Sequence, residues 1–169
     1  MQFNHEKNIL ELLNIAIDSG KEILNIYNDE IIVNSKEDKS PITQADINSN
    51  NLIVSRLIKL DPNIPILSEE SLVKWENRKD WNKYWLIDPL DGTKEFIKKN
   101  GEFTVNIALI SDGEPILGVV YAPVINTMWH GDIKGGSYKI EKNKDPIKIK
   151  SSSPNKDEVI KVVASRSHT

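Results

Sequence analysis

The 169-residue chain contains no cysteine, which excludes disulfide bonds, thiolate chemistry and zinc sites of the cysteine type. No basic-then-apolar leader opens the chain, and no apolar stretch approaches the ~20 residues that a membrane span needs. Lysines and acids are interspersed, with a formal net charge of −3, so the basic footprint of a nucleic-acid-binding protein is missing. We therefore expect a cytoplasmic, single-domain protein that binds no nucleic-acid polymer and has no transmembrane segment.

Hydrophobic residues recur at helical spacing near the start of the chain and alternate with polar ones later. Residues 5–28 and 43–60 predict amphipathic helices, and the alternation over residues 103–109 predicts a strand with one apolar face. Two leading helices followed by a mainly antiparallel meander predict an α+β layered fold. Further strands are predicted at residues 31–33, 64–67, 84–87, 116–121, 127–130, 137–140, 147–150 and 159–164, turns or loops at 36–41 and 151–154, a helical turn or loop at 71–83, and a short helix at 93–99.

The most informative segment, residues 85–93, delivers two carboxylates directly after an apolar run. Asp88 and Asp91 can converge on one hard cation, because Mg²⁺ prefers oxygen ligands and is commonly held by one or two carboxylates plus substrate phosphate. Gly92 lets the backbone approach a ligand closely, and a helix start at Thr93 offers N–H groups to an anion. A second interpretation makes Asp91 a helix N-cap and Asp88 a turn residue at the strand end. The spacing alone does not decide between a cation site and this capping interpretation.

Two other acidic positions lie where the chain changes direction. Glu69 follows a short predicted strand, and Asp46 lies at the start of the second helix. Each has a simpler explanation, since Thr43-x-x-Asp46 matches a capping box and Glu69-Glu70 suits a solvated acidic pair. Together with the two aspartates, however, Glu69 completes a set of three oxygen donors that could bridge two divalent ions. A kinase or serine hydrolase finds no support, because neither a Walker-type glycine loop nor a nucleophile elbow is present.

Longer motifs surround these residues. They are Asp88-Pro89-Leu90-Asp91-Gly92-Thr93, Ser68-Glu69-Glu70 and Thr43-Gln44-Ala45-Asp46. This combination resembles the inositol monophosphatase superfamily of Mg²⁺-dependent, lithium-sensitive phosphatases, and it implies the layered α+β sugar-phosphatase fold. Residues 94–109, 118–123 and 165–168 look like the CysQ-type 3′(2′),5′-bisphosphate nucleotidases within that superfamily. The resemblance extends from the first helix to the last residue.

The resemblance implies a role for each matching residue. The ligands of two or more Mg²⁺ ions would be Glu69, Asp88, Asp91 and the backbone carbonyl of Leu90. The attacking water would be oriented by Glu69 and Thr93, with Asp46 hydrogen-bonded to Thr93 as a catalytic relay. The N–H groups of Gly92 and Thr93 would hold the phosphate. The substrate-binding set would be Glu69, Leu90, Asp91, Gly92, Thr93 and His168.

The reaction implied by the resemblance is hydrolysis of the 3′-phosphate of adenosine 3′,5′-bisphosphate to AMP, within sulfate assimilation. Phosphosulfate analogues would be secondary substrates, and water would attack phosphorus in line. The expected partner is therefore a small nucleotide; some relatives of this branch lie peripherally on the inner membrane, and the sequence gives no oligomeric state. Two alternatives stay open, a sister phosphatase acting on inositol or sugar phosphates and a folded remnant without catalysis.

Histidine and tryptophan residues outside these motifs receive simpler predictions. His168, one residue from the chain end, is more often than not solvent-exposed, and a nucleotide contact is the alternative that the resemblance adds. His5 and His130 are predicted to be surface residues. Three tryptophans are predicted to pack in the fold instead of stacking on bases: Trp75, Trp81 and Trp85.

One family feature is missing from the sequence. The family contributes a further metal ligand from a later Trp-Asp motif on a second subdomain, and no Trp-Asp pair occurs among the 169 residues. We expect residues 1–169 to be the N-terminal α+β subdomain of a metal-dependent phosphatase, with residues 159–169 beginning the second subdomain. The expected consequence is weak binding of the second cation and low or absent turnover by these residues alone.

Overall fold

The computed structural model describes residues 5–29, 31–35, 41–151 and the single positions 159 and 162. In these ranges the two long helices lie against one face of a long, mostly antiparallel sheet, which confirms the predicted α+β class. The helices are α1 (His5–Tyr27), α2 (Gln44–Leu60), α3 (Trp75–Arg78) and α4 (Thr93–Ile97). The strands are β1 (Val33–Ser35), β2 (Pro41–Thr43), β3 (Ile66–Ser68), β4 (Lys83–Asp91), β5 (Thr104–Ser111), β6 (Glu114–Ala122), β7 (Thr127–Asp132), β8 (Gly136–Glu141) and β9 (Ile147–Ile149).

The first helix buries a stripe of apolar residues against the sheet and against α2. Leu12, Ile15 and Ile23 have no exposed surface, as their helical spacing predicts. Gly20 allows a close approach, because a Cβ at this position would lie 2.5 Å from Cε1 of Tyr121 on β6. No helix in the described part of the chain is long and apolar enough to cross a membrane.

The second helix begins with the predicted capping box. Oγ1 of Thr43 accepts a hydrogen bond from the Ala45 N–H at 3.2 Å, and the Asp46 carboxylate accepts one from the Thr43 N–H at 2.7 Å. The helix stops at Asp61, because a residue that precedes a proline disfavours helical backbone angles. The two helices are also joined by Arg56, whose guanidinium contacts Glu11 at 2.5 Å.

Among the described residues the main sheet has seven strands, in the order β3-β4-β5-β6-β7-β8-β9. Strands β3 and β4 run parallel, and every other neighbouring pair is antiparallel. On β5 the apolar side chains predicted to share a face are buried under the helices: Val105, Ile107 and Leu109. The turn at Asp112-Gly113 joins β5 to β6 with positive φ angles of 52° and 83°, as a two-residue hairpin of the primed type requires.

The opposite face of the sheet carries a groove of about 700 Å³. Its floor consists of small residues that are paired across four neighbouring strands: Ala108, Gly118, Gly131 and Ser137. Its rim includes the exposed apolar side chain of Leu86, and one end reaches Glu69 and Asp88. The carboxylates predicted to bind metal therefore lie where this apolar groove ends.

Several predicted boundaries were wrong. The strand predicted at residues 31–33 starts at Val33, and it pairs with β2, which lies partly in a segment predicted to be a turn. Pro41 can open this strand because the first strand residue need not donate to the ladder. Strand β4 continues to Asp91, beyond the predicted end at Ile87. The loop at 151–154 and the strand at 159–164 lie almost wholly outside the described residues, and Val159 and Val162, which are described, are exposed.

Candidate active site

Parallel pairing brings the first two acidic segments together. Ser68 at the end of β3 is in register with Ile87 on β4, and the Glu69 N–H donates to the Ile87 carbonyl at 3.3 Å. The next residue on each strand is acidic, so Glu69 and Asp88 lie side by side at the same sheet edge. This neighbourhood was predicted from two strand ends, and the side chains of Glu69 and Asp88 share a hydrogen bond.

A bulge on β4 then separates the two aspartates. Asp88 pairs with Asn106, and Asp91 pairs with Thr104. The two aspartates are three positions apart on β4, whereas their partners are two positions apart on β5. Asp91 is exposed, and its Oδ2 accepts a hydrogen bond from Nδ2 of Asn106 at 3.1 Å. The alternative interpretations of both aspartates were wrong, because Asp88 lies within a strand and the N-cap position of α4 belongs to Gly92.

Gly92 adopts a conformation that other residues rarely adopt. Its φ is +97°, and a Cβ would lie 2.9 Å from the carbonyl oxygen of Glu102. The chain therefore turns from β4 directly into α4, where the Phe96 N–H donates to the Gly92 carbonyl at 2.9 Å. Thr93, the first residue of this short helix, is thereby placed beside the acidic residues.

Thr93 is held by the start of α2. Its Oγ1 donates a hydrogen bond to Oδ1 of Asp46 at 3.0 Å. The same Oγ1 lies 3.4 Å from the carbonyl oxygen of Leu90. Oδ2 of the fully buried Asp46 accepts from both the N–H and Oγ1 of Thr43. The capping box predicted for Asp46 is confirmed, and its other oxygen accepts the hydrogen bond from Thr93, whereas the role of Asp46 as a catalytic relay stays a prediction.

The electrostatics centre on Asp88. Burial, the negative charges of Glu69 and Asp91 and a hydrogen bond to Glu69 raise the pKa of Asp88 to about 7, against a weaker opposing hydrogen bond from the Leu90 backbone. Oδ1 of Asp88 is buried and, within the described residues, has no hydrogen-bond partner. A cation would fill this missing contact and neutralise the three neighbouring charges, so the donor set fits a hard divalent ion such as Mg²⁺.

The three carboxylates are close but do not already form a coordination sphere. Within the described ranges, no three side chains among His, Asp and Glu are arranged to hold a metal ion. Asp91 is turned to Asn106, and a shared cation would have to draw its exposed side chain inward. A small concavity of about 220 Å³ adjoins this point. It is lined by Pro41, Glu69, Leu90, Asp91, Gly92, Thr93, Lys94 and Glu95.

Other predicted positions behave differently. His168 lies outside the described residues, and so does the side chain of His5. His130 is half-buried and not a surface residue: its ring stacks on Tyr138 with a centroid distance of 5.3 Å, and burial lowers the pKa of its imidazole. Trp85 is fully buried, as predicted, whereas Trp75 is 60% exposed with Arg78 over its ring.

Three polar residues near the site were missed by the sequence analysis. Asn106 contacts Asp91, and Ser49 and Asn50 connect α2 to the acidic segments. Asn106 is a polar position in an alternating strand, which is an ordinary pattern for a solvated face. The pairing of Asn106 with Asp88 was the signal that could have identified it, and this pairing depends on the strand register.

The sequence profile of the inositol monophosphatase family matches residues 6–169. The chain belongs to this family. It is 48% identical over 161 residues to the 3′(2′),5′-bisphosphate nucleotidase CysQ of Escherichia coli O6:H1, covering 94% of the chain and 63% of that protein. The chain thus spans somewhat less than two thirds of the length of this relative.

Solved structures agree with the family assignment. CysQ from Bacteroides thetaiotaomicron is 37% identical with a TM-score of 0.69, and the match covers 87% of this chain and 52% of that one. The extragenic suppressor protein SuhB from Bartonella henselae is 27% identical with a TM-score of 0.71, covering 79% of this chain and 52% of that one. The inositol monophosphatase-like fold predicted from the sequence is therefore confirmed.

Proposed function

We propose that this chain supplies the metal-binding half of a nucleotidase that hydrolyses the 3′-phosphate of adenosine 3′,5′-bisphosphate to AMP. The observation that carries the proposal is the placement of Glu69, Asp88 and Asp91 beside the Thr93–Asp46 hydrogen bond. The similarity to CysQ nucleotidases supports the choice of substrate. Phosphosulfate analogues as secondary substrates, a place in sulfur assimilation and a cytoplasmic location belong to the same proposal.

The proposed metal ligands are the side chains of Glu69, Asp88 and Asp91 and the carbonyl of Leu90. All are oxygen donors, which suits two or more Mg²⁺ ions. When bound, such ions offset the phosphate charge and lower the pKa of water. The apposition of three carboxylates, one with its pKa raised to about 7, supports this assignment because each like charge makes a cation more favourable there.

Thr93 and Asp46 are proposed to act on the attacking water. Because the Thr93 hydroxyl donates its only proton to Asp46, its oxygen lone pairs are left to accept a hydrogen bond from water. The Asp46 charge makes the Thr93 oxygen a better acceptor. Glu69, which directly follows β3, would orient the same water. The N–H groups of Gly92 and Thr93 are proposed to hold the phosphate, and His168 to contact the nucleotide.

The chain is also proposed to be the N-terminal subdomain of a longer enzyme, with residues 159–169 starting the next subdomain. The greater length of its relatives supports this, and so does the apolar groove of about 700 Å³ on the sheet face opposite the helices. A further carboxylate ligand would come from the second subdomain. We therefore expect the 169-residue chain alone to release phosphate slowly or not at all.

The experiment compares the chain alone with a chimera that continues it with the remaining part of the E. coli relative. Phosphate release is measured with Mg²⁺ from adenosine 3′,5′-bisphosphate and from inositol 1-phosphate. We expect turnover by the chimera, selective for the bisphosphate and abolished by Asp88→Asn. Preference for inositol 1-phosphate would instead identify a sister phosphatase, and release from neither substrate would favour a folded remnant.

A further inference from the structure

One turn of α2 is hydrogen-bonded to three parts of the candidate site: the start of α4, the β4 bulge and the end of β3. Asp46, Ser49 and Asn50 follow each other at the helical spacing that places side chains on one face. Asp46 holds Thr93, as described above. The other two residues contact the strands that carry the carboxylates, and neither contact has a role in the proposed function so far.

Ser49 is bonded to the bulge between the two aspartates. Its Oγ donates to the Pro89 carbonyl at 2.7 Å, and it lies 2.5 Å from Oγ of Ser19 on α1. A hydroxyl has one proton, and that of Ser49 is used on Pro89, so Ser19 must be the donor in the second contact. Both serines are fully buried, and the result is a directed chain from α1 through α2 to the bulge.

The contact with Ser49 falls where the pairing of β4 is irregular. Pro89 has no N–H, and the pairing of β4 with β5 is interrupted between Asp88 and Asp91. A peptide unit whose carbonyl is held by Ser49 cannot rotate freely, and this restriction extends to the adjoining carbonyl of Leu90. The buried hydroxyl of Ser49 therefore adds a constraint on the peptide that lies between the two aspartates, beside the pairing of β4 with β5 and the contact of Thr93 with the Leu90 carbonyl.

Asn50 makes the equivalent contact to the segment of Glu69. Its Oδ1 accepts a hydrogen bond from Oγ of Ser68 at 2.7 Å, and the same Oγ accepts from the Glu70 N–H at 3.1 Å. Ser68 is buried, so its hydroxyl depends on this partner. The residues on both sides of Glu69 are thereby tied to the helix that also holds the β4 bulge.

We infer that Ser49 and Asn50 are positioning residues that set the distance between Glu69 and the two aspartates, and hence the affinity of the site for divalent cations. This inference rests on the proposed function. Neither residue is among the proposed metal ligands; Ser49 acts through the Pro89 carbonyl and Asn50 acts through the Ser68 hydroxyl. Truncation of either should loosen the site while the helix itself stays intact, because Ser49 and Asn50 contribute no cap to α2.

The test measures Mg²⁺ affinity of the chain by calorimetry for Ser49→Ala and Asn50→Ala. We expect each to weaken binding about 3- to 10-fold, the equivalent of one net hydrogen bond. Ser19→Ala is the matched control for Ser49, because it removes a buried hydroxyl but leaves the bond to Pro89, and it should change the affinity less than about twofold. Asn51→Ala, an exposed neighbour, is the control for Asn50.

A second measurement is independent of metal binding. Amide hydrogen exchange of residues 88–96 in the metal-free chain should become about fivefold faster in Ser49→Ala and stay within about twofold in Ser19→Ala. Ser49→Thr, which keeps the hydroxyl, should restore the slow exchange. Equal effects of the two serine truncations would reduce Ser49 to a structural residue and overturn the inference. Absence of Mg²⁺ binding by the unmodified chain would count against the proposed function, and the exchange pattern would still decide the positioning role.

Discussion

Replacing Asp88 with asparagine should make the metal-free protein more stable. The substitution keeps the shape of the side chain and removes a charge that lies between Glu69 and Asp91. It also supplies an N–H₂ group that can donate to the Glu69 carboxylate. A stabilising substitution at the centre of a site is expected wherever like charges have been brought together for a ligand.

The magnitude follows from the pKa of Asp88, which rises from 3.8 to about 7. At about 1.4 kcal/mol per pKa unit this corresponds to at most about 4 kcal/mol above pH 7. Solvent screening in a site that is open on one side reduces the expected gain to about 1–2 kcal/mol. For a chain of this length, that shifts the melting temperature by about 2–8 °C.

The pH dependence has a definite sign. Between pH 4 and pH 7 the folded protein holds the Asp88 proton more tightly than the unfolded chain, so stability falls as the pH rises through this window. The penalty is absent below pH 4 and complete above about pH 7. Asp88→Asn should lose this part of the pH dependence, so the two proteins should differ most at pH 8 and little at pH 4.

The assay is urea unfolding at pH 4, 6 and 8 with a chelator, repeated with Mg²⁺. Mg²⁺ should stabilise the unmodified chain and leave Asp88→Asn unchanged, since ligands stabilise the state that binds them. Asp145→Asn, at an exposed position, is the control for a change of one formal charge. If Asp88→Asn is no more stable than the unmodified chain at pH 8 in chelator, the electrostatic argument is refuted.

Two further substitutions test the Thr93 region. Thr93→Val keeps the side-chain shape but leaves Oδ1 of the buried Asp46 without its donor, and we expect a loss of about 1–3 kcal/mol in urea unfolding; unchanged stability would show that this bond is weak. Gly92→Ala should cost more than Gly113→Ala, because both positions have positive φ but only at Gly92 would the new Cβ meet backbone, 2.9 Å from Glu102 O. Equal melting temperatures would contradict this.

The predictable parts of the fold were those with a repeating local pattern. The buried face of α1 and the alternation along β5 follow from the spacing of apolar residues, and the capping box follows from Thr43 and Asp46. The strand at Pro41 could not be found this way, because its three residues pair only with another three-residue strand. Its existence depends on a partner and not on a periodicity.

The candidate site was predictable in its charged residues and not in its supports. Carboxylates after apolar segments identified Glu69, Asp88 and Asp91, whereas the β4 bulge depends on how two strands are paired. The contact between Ser49 and Pro89 joins residues that are 40 positions apart. A serine inside a helix carries no sign of such a partner, so only the assembled structure identifies it.

Asp46 has one carboxylate but two partners, and this ties the position of Thr93 to the first turn of α2. That turn is not a fraying end, because Ala45 and Asp46 have no exposed surface and Ala45 packs in the same core as Leu57 and Trp85. The contact between Asp46 and Thr93 should therefore persist on heating until the core itself opens. Loss of this contact and loss of the fold should then occur at the same temperature.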